Sequence, residues 1–437
     1  MKLENWLKRK GLEYKDGALF FAGISTEELS LKFGTPIYVT DEEIIRDRYH
    51  SLNQILGSEY SNTQIHYAVK ANANLTILKI LEQEGSFFDC TSLGEIHACF
   101  KVGISPERII FTGNMFTNED FEFALEHGVR INLDSISQLD RLIMIHEKLG
   151  IDMEFISFRI NPEFGAGHHS HTITAGKEIK FGILGSQVIK AYKKAKKAGF
   201  QKFGIHQHIG SGIINSRDFE KATNNYLSIV KDVVNTLSIS FEFIDFGGGL
   251  GIPYRPESEP MDLELYRDIV VKSFKKFLMS ENIGEPAFKI EPGRFLSAES
   301  TIILAQINTI KDNGYKLFAG LNAGFNTLIR PTMYGSYHHI IPCNISERKE
   351  GRVYDITGPI CESGDVLGKN RELTLLKEGD FVAILDAGAY GFVMSSNYNS
   401  RPRAAEILIN KGKAHLIRKA ESFDDLLKDQ MIPDHLS

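Results

Sequence analysis

The sequence predicts an α/β protein with an all-β appendage: an N-terminal (β/α)8 TIM-type barrel and a C-terminal β-sandwich or β-barrel domain. Three observations carry this reading. Between about residues 36 and 295, short continuous apolar runs alternate with helical patterns, as in parallel strands buried on both faces. After about residue 298 the strands become hairpin-like and turn residues punctuate them. The glycine fingerprint GxGxxG of a doubly wound open sheet, the alternative architecture, is absent after the first strand. The barrel is placed at residues 35–298, and the β domain at 1–34 together with 299–437.

The barrel strands are read at 64–69, 86–90, 108–112, 129–133, 154–160, 203–209, 241–246 and 287–291. Helix starts stand between them. Thr117-Asn-Glu-Asp120 has capping-box spacing before Phe121, and Ser137-Gln-Leu-Asp140 opens another amphipathic run. In the second domain, strands are expected at 300–307, 315–319, 352–357, 381–387 and 404–409, with turns at Asp312-Asn-Gly314 and Glu378-Gly-Asp380. The turn Lys15-Asp-Gly17 and the run Leu19-Phe-Phe-Ala22 add an outlying strand to that domain.

Composition excludes several classes of protein. The 437 residues, 42% of them hydrophobic, are enough for two or three domains with a sizeable core. A net charge of −6 offers no broad basic surface to nucleic acid or an anionic membrane. The lysines Lys190, Lys193, Lys194, Lys196 and Lys197 alternate with Val188, Ala191, Tyr192 and Ala195, as on a solvated outer helix face. No apolar run approaches the roughly 18 residues that a membrane span needs. Cys90, Cys99, Cys343 and Cys361 lack CxxC spacing, which points to free thiols in a reducing compartment and to no metal site. The chain reads as a soluble, cytoplasmic protein.

Barrel enzymes gather their functional groups at the C-terminal ends of the strands. There this sequence carries Lys70, Asp89, His206 with His208, Gly247-Gly-Gly249 and Glu291-Pro-Gly-Arg294. A lysine closing a buried strand is costly unless its amine has a task. A Schiff base with pyridoxal phosphate is such a task, because lysine shifts its pKa readily when buried. The glycines, with Ser211 nearby, suit a phosphate cradle of backbone donors. Each residue also has a plainer reading: Asp89 as a helix N-cap, His208 as a core histidine, the triglycine as a turn, Glu291 and Arg294 as an ion pair. Their joint occurrence favours the site.

The runs Tyr67-Ala-Val-Lys-Ala-Asn72, His206-Gln-His-Ile-Gly-Ser211, Gly247-Gly-Gly-Leu-Gly251, Glu291-Pro-Gly-Arg294, Cys361-Glu-Ser-Gly-Asp365 and Asp386-Ala-Gly-Ala-Tyr390 resemble the fold-type III pyridoxal-phosphate decarboxylases. The match is closest to the diaminopimelate decarboxylases and covers nearly the whole chain. The resemblance implies decarboxylation of meso-2,6-diaminopimelate to L-lysine by a homodimer with shared sites. It also implies roles. Lys70 forms the internal aldimine, His208 stacks on the cofactor ring, and Glu291 keeps the pyridine nitrogen protonated. Asp89 supports the site. Ser211, Gly248, Gly249, Gly293, Arg294 and Tyr390 hold the phosphate or its surroundings. Cys361 and Glu362 reach into the partner's site, with Cys361 the proton donor.

Substrate choice is read from Arg330, Tyr334, Arg294 and Glu362, with Tyr390 beside them. A carboxylate and an ammonium at the far end of a substrate call for a guanidinium and an acid. Ornithine or lysine offers only the ammonium, so Arg330 disfavours them. Three features depart from the family: Gly212 where a glutamine is common, Asn322 where an aspartate is usual, and a histidine-rich loop at 165–174. Gly212 leaves a decarboxylase of ornithine, arginine or another diamino acid as the enzymatic alternative. A catalytically dead regulator on this fold is the alternative from another class.

Overall fold

A computed structural model describes residues 3–151, 154–163, 175–176, 178–346 and 350–436. The chain divides into two compact units, Arg46–Pro253 with Glu259–Leu296, and Met1–Ile45 with Tyr254–Ser258 and Ser297–Ser437.

The first of these units is a closed barrel of eight parallel strands. They are β1 (Thr63–Ala68), β2 (Phe87–Cys90), β3 (Ile109–Thr112), β4 (Arg130–Leu133), β5 (Phe155–Asn161), β6 (Lys202–Gln207), β7 (Phe241–Asp245) and β8 (Ala287–Ile290). Each pairs with its neighbour, and β8 pairs with β1 to close the ring. Every expected barrel strand is present, its ends shifted by no more than two residues. A two-residue strand, Ile183–Leu184, adds to β5.

Helices follow the expected chemistry, with one shift. Thr117 caps the helix Asn118–Glu126 through a capping box with Asp120. The next helix, Ile136–Leu149, takes its cap two residues before the expected Ser137, because Ser135 and Gln138 form the capping box instead. Two overlapping Ser-x-x-acceptor patterns compete there, and the earlier one wins. The lysine-rich helix Gly185–Lys197 buries Val188, Ala191, Tyr192 and Ala195 and turns its lysines outward, as its pattern predicts.

Inside the barrel, polarity rises along the strands. Ile110, Phe155, Phe243 and Ala287 form an apolar floor, and all four lie within the first three residues of their strands. Two residues further along β7 and β8, on the same face, stand Asp245 and Lys289, and on β6 Gly204 is followed by His206. A side chain at Gly204 would collide with the Phe243 ring, since its Cβ would lie 2.4 Å from that ring's Cζ. The floor thus seals one end, and the charged groups collect toward the other.

The other unit is a β domain. Its long strand Thr301–Asp312 pairs with Ile37–Asp41, Phe381–Ile384 and Leu317–Leu321, and Gly351–Thr357 with Val366–Thr374 extends the sheet. Alternate residues of the long strand enter two cores: Ile303, Ala305 and Ile307 one, Ile302 and Leu304 the other. Two expectations need correction. The strand Ile37–Asp41, assigned with the barrel from residue 35, is buried throughout and pairs here with Thr301–Leu304 and Ala405–Ile409. A strand buried on both faces carries no sign of which sheet will take it. The N-terminal segment forms its own antiparallel sheet of Leu12–Lys15, Ala18–Phe21 and Ile24–Ser25 rather than one added strand.

This unit holds a buried ionic cluster. Lys10 Nζ lies 2.5 Å from Asp386 Oδ1 and 3.0 Å from Glu299 Oε1, with all three side chains at most 1% exposed, and it sits 4.4 Å over the Trp6 ring. Removing Lys10 leaves two buried carboxylates with Arg9, on Glu299, as the remaining cation. Lys10→Met should therefore cost about 3–5 kcal/mol of stability, read as a lower denaturant midpoint. An unchanged midpoint would show that the cluster contributes nothing.

Candidate active site

The sequence-predicted residues fall into two groups, one on each unit. On the barrel, Lys70 follows β1 in a single 3-10 turn, Val69–Ala71, and its Nζ lies 2.5 Å from Asp89 Oδ2 at the end of β2. The helix after β2 takes its cap from Ser92, so Asp89 is not the N-cap. Burial and the Glu291 charge raise the Asp89 carboxyl, and Lys70 works against that rise.

Glu291, just past β8, is 4% exposed, and its Oε2 lies 3.0 Å from His206 Nε2. Burial works to raise its carboxyl, yet the His206 charge and hydrogen bond, then Lys70, hold it well below the usual carboxylate range. The reciprocal effect appears on His206: burial opposes the imidazolium, but Glu291 raises it above its ordinary value. Nearby, Asp245 accepts from Gly247 N–H, and burial pushes its carboxyl up to about 8. The ligand-type atoms of His206, Asp245 and Glu291 all lie within 4.8 Å of one another. The other Glu291 oxygen, Oε1, is buried and has no hydrogen-bond partner among the described residues.

His208, half-buried, accepts a hydrogen bond at Nδ1 from Gly248 N–H at 2.9 Å, which leaves its proton on Nε2. Burial, then the charges of Arg159 and Lys70, push it well below its ordinary value, so the ring is neutral. The triglycine is more than a turn. Gly247 has φ +69°, and a Cβ on Gly248 would stand 2.3 Å from the Glu291 carbonyl oxygen. Only glycine lets this backbone pass between β6 and β8. Arg294 Nη2 donates to Ser211 Oγ at 3.1 Å, so Arg294 is not simply the ion partner of Glu291.

Pyridoxal phosphate fits this set. A strand-end amine, a dry carboxylate oxygen in want of a donor, a neutral imidazole face and a side-chain-free glycine stretch match its carbonyl, ring nitrogen, ring face and phosphate.

On the other unit, Arg330 and Tyr334 bound the short helix Arg330–Tyr334, with Arg330 only 1% exposed. Cys361 and Glu362 are exposed on a loop organised by Asp365, whose two oxygens accept from Phe325 and Ile360 N–H groups. Asn399 brackets Cys361, accepting from its N–H at 3.1 Å and donating to Sγ at 3.2 Å. Hydrogen bonding to Glu362 pushes the Tyr398 phenol up to about 12. Tyr390 is half-buried at φ +57°. Sequence reasoning did not single out Asn399 and Tyr398, which belong to no motif. His206 was legible only as sharing a face with His208.

Two departures have structural causes. Gly212 has φ +77°, a conformation that favours glycine. Asn322 donates from Nδ2 to Thr35 O and Oγ1 while its Oδ1 accepts from Gln306 N–H, a pairing that an ionised aspartate cannot make. The histidine loop at 165–174 lies outside the described residues.

Residues 41–298 match the family model described as pyridoxal-dependent decarboxylase, pyridoxal binding domain. The chain belongs to the pyridoxal-dependent decarboxylases. It is 46% identical over 420 residues to the diaminopimelate decarboxylase of Methanothermobacter thermautotrophicus, covering 96% of this chain and 97% of that one. The Aquifex aeolicus diaminopimelate decarboxylase is 38% identical over 426 residues, covering 96% and 97%. The solved diaminopimelate decarboxylase of Methanocaldococcus jannaschii, in co-complex with L-lysine, superposes with a TM-score of 0.92 at 34% identity, covering 99% of this chain and 100% of that one.

The His206–Glu291 pair is charged between the lowered carboxyl and the raised imidazole values. Its stabilisation is lost as pH falls through the first or rises through the second. An NMR titration of His206 in the cofactor-free protein should give an apparent pKa above 6.5, and Glu291→Gln should lower it, since burial and Arg159 are then opposed chiefly by Asp245. A value that Glu291→Gln leaves unmoved counts against the pair.

Proposed function

We propose that this decarboxylase converts meso-2,6-diaminopimelate to L-lysine and carbon dioxide, with pyridoxal phosphate held on Lys70. The observation that carries the reading is the buried Glu291 carboxylate, one oxygen on His206 and the other open, at the same barrel mouth as Lys70. The names of the relatives support the choice of substrate. When bound, the cofactor supplies an electron sink for the pair of electrons left on the substrate's α-carbon as carbon dioxide departs.

The chain's own residues do the rest. Lys70 anchors the cofactor through its amine. Glu291 Oε1 holds a proton at the ring nitrogen, and His206 keeps Glu291 ionised for that purpose. His208, fixed by Gly248 N–H, offers its neutral ring face. Ser211, Gly248, Gly249, Gly293, Arg294 and Tyr390 bind the phosphate or its surroundings, and Asp89 orients the Lys70 amine. Arg330, with Tyr334 and Arg294, takes the substrate's distal carboxylate, and Glu362 its distal ammonium. Cys361 returns the proton to the α-carbon, and a second copy of the chain supplies Cys361 and Glu362. The described helices include none long and apolar enough to cross a membrane. The ornithine or arginine alternative rested on Gly212, whose backbone conformation now accounts for it.

Product analysis with meso-diaminopimelate, ornithine, lysine and arginine offered side by side tests the reading. Lysine should form from the first alone, and preference for another substrate overturns it. Borohydride reduction and digestion should leave the cofactor's mass on the Lys70 peptide; modification of a different lysine would sink the anchor assignment.

Arg330→Ala should weaken transition-state binding of diaminopimelate by about 2–4 kcal/mol, chiefly through KM, the scale of a lost charge-assisted contact. Equal loss on any substrate that lacks the distal carboxylate would mark Arg330 as structural.

Mixing Lys70→Ala and Cys361→Ala homodimers tests the shared site. Random exchange should restore activity toward roughly a quarter of the wild-type value. No recovery despite demonstrated exchange refutes sharing.

A further inference from the structure

We infer that His338 is the positioning residue for Arg330, orienting its guanidinium toward the substrate's distal carboxylate and so setting the preference for diaminopimelate over monocarboxylate diamines. The inference rests on the role given to Arg330 above.

Arg330 Nη1 lies 2.7 Å from His338 Nε2, and His338 Nδ1 lies 2.8 Å from the Leu385 carbonyl oxygen. A carbonyl only accepts, so Nδ1 carries the proton and Nε2 presents a lone pair. The imidazole is thereby a neutral acceptor, in one tautomer, for the guanidinium. The Tyr254 ring fixes the second coordinate. It lies 4.8 Å from Arg330 Cζ and meets the His338 ring edge-on at 5.4 Å and 72°. Acceptor and ring together restrict both the swivel and the tilt of the guanidinium plane, which a bidentate carboxylate contact requires.

The backbone keeps the two residues in register. Ser336 N–H donates to the Arg330 carbonyl at 3.3 Å across the left-handed Gly335, and Arg371 Nη2 donates to the His338 carbonyl at 3.1 Å. Both side chains are buried, at 1% and 0% exposure. The choice of histidine follows from charge. An aspartate or glutamate at 338 would orient Arg330 equally well but would compete with the substrate's carboxylate for it. A neutral acceptor orients the cation without adding that negative charge.

Two amide variants separate this role from loop support. His338→Gln puts an amide oxygen near the Nε2 position and keeps an acceptor for Arg330. His338→Asn puts an amide N–H near the Nδ1 position and keeps only the donor to Leu385. The readouts are KM for meso-diaminopimelate and the binding constant of 1,5-diaminopentane, which carries both amines but no carboxylate. His338→Asn should raise KM about tenfold, the scale of one hydrogen bond to a charged group, and leave 1,5-diaminopentane binding nearly unchanged. His338→Gln should recover most of that loss. An Asn variant that matches wild type while Gln is defective, or equal losses on both ligands, overturns the inference. Arg330→Ala, run alongside, distinguishes the failures: if it leaves the preference for diaminopimelate intact, the reading of Arg330 itself fails and the inference falls with it. Should either amide variant fail to fold, histidine-selective ¹⁵N NMR of the wild-type protein reads the tautomer directly. A protonated Nδ1 with a bare Nε2 is the expected result, and a proton on Nε2 overturns the proposal.

Discussion

The ion pair between His206 and Glu291 is the interaction on which the charge balance at the barrel mouth depends. A carboxylate at 4% exposure is disfavoured as an anion, and a solitary Glu291 would take up a proton. A protonated acid there could not serve as the acceptor that a protonated ring nitrogen needs. His206 changes the balance by occupying Oε2 with a charged donor, which leaves Oε1 ionised and directed elsewhere. The apolar floor of Ile110, Phe155, Phe243 and Ala287 makes the arrangement effective, because water kept from that end cannot screen the charges above it.

The glycine stretch ties the same strands together mechanically. Gly248 donates its N–H to His208 and runs so close to the Glu291 carbonyl that no side chain fits. The tautomer of His208 and the path of the backbone beside Glu291 are therefore set by one residue. A change at Gly248 would disturb His208 and the backbone at Glu291 together.

The β domain solves a different problem, that of holding exposed or strained loops in one shape. Asp365 accepts two backbone N–H groups and so fixes the loop that displays Cys361 and Glu362. The turn from Asp386 to Tyr390 contains two non-glycine residues in the left-handed region, at φ +62° and +57°. Such residues persist only where their surroundings over-determine them. Here the buried ammonium of Lys10 holds Asp386. A lysine in the N-terminal segment thus supports a motif 376 residues away in sequence.

Sequence alone determined the eight barrel strands, the change of texture near residue 298, and the strand-end residues Lys70, Asp89, His208 and Glu291. Strand periodicity and the habit of barrels to carry chemistry at strand ends are local signals. Tertiary structure decided the rest. It placed Ile37–Asp41 in the β sheet, chose Ser135 over Ser137 as a cap, and gave His206, His338, Asn399 and Lys10 their partners. It also showed that Gly212 answers to a left-handed backbone and Asn322 to a carbonyl and hydroxyl in want of a donor. None of these could be read in advance, because a buried strand does not name its sheet. Nor does a polar side chain reveal its partner until folding has brought the two within hydrogen-bond reach.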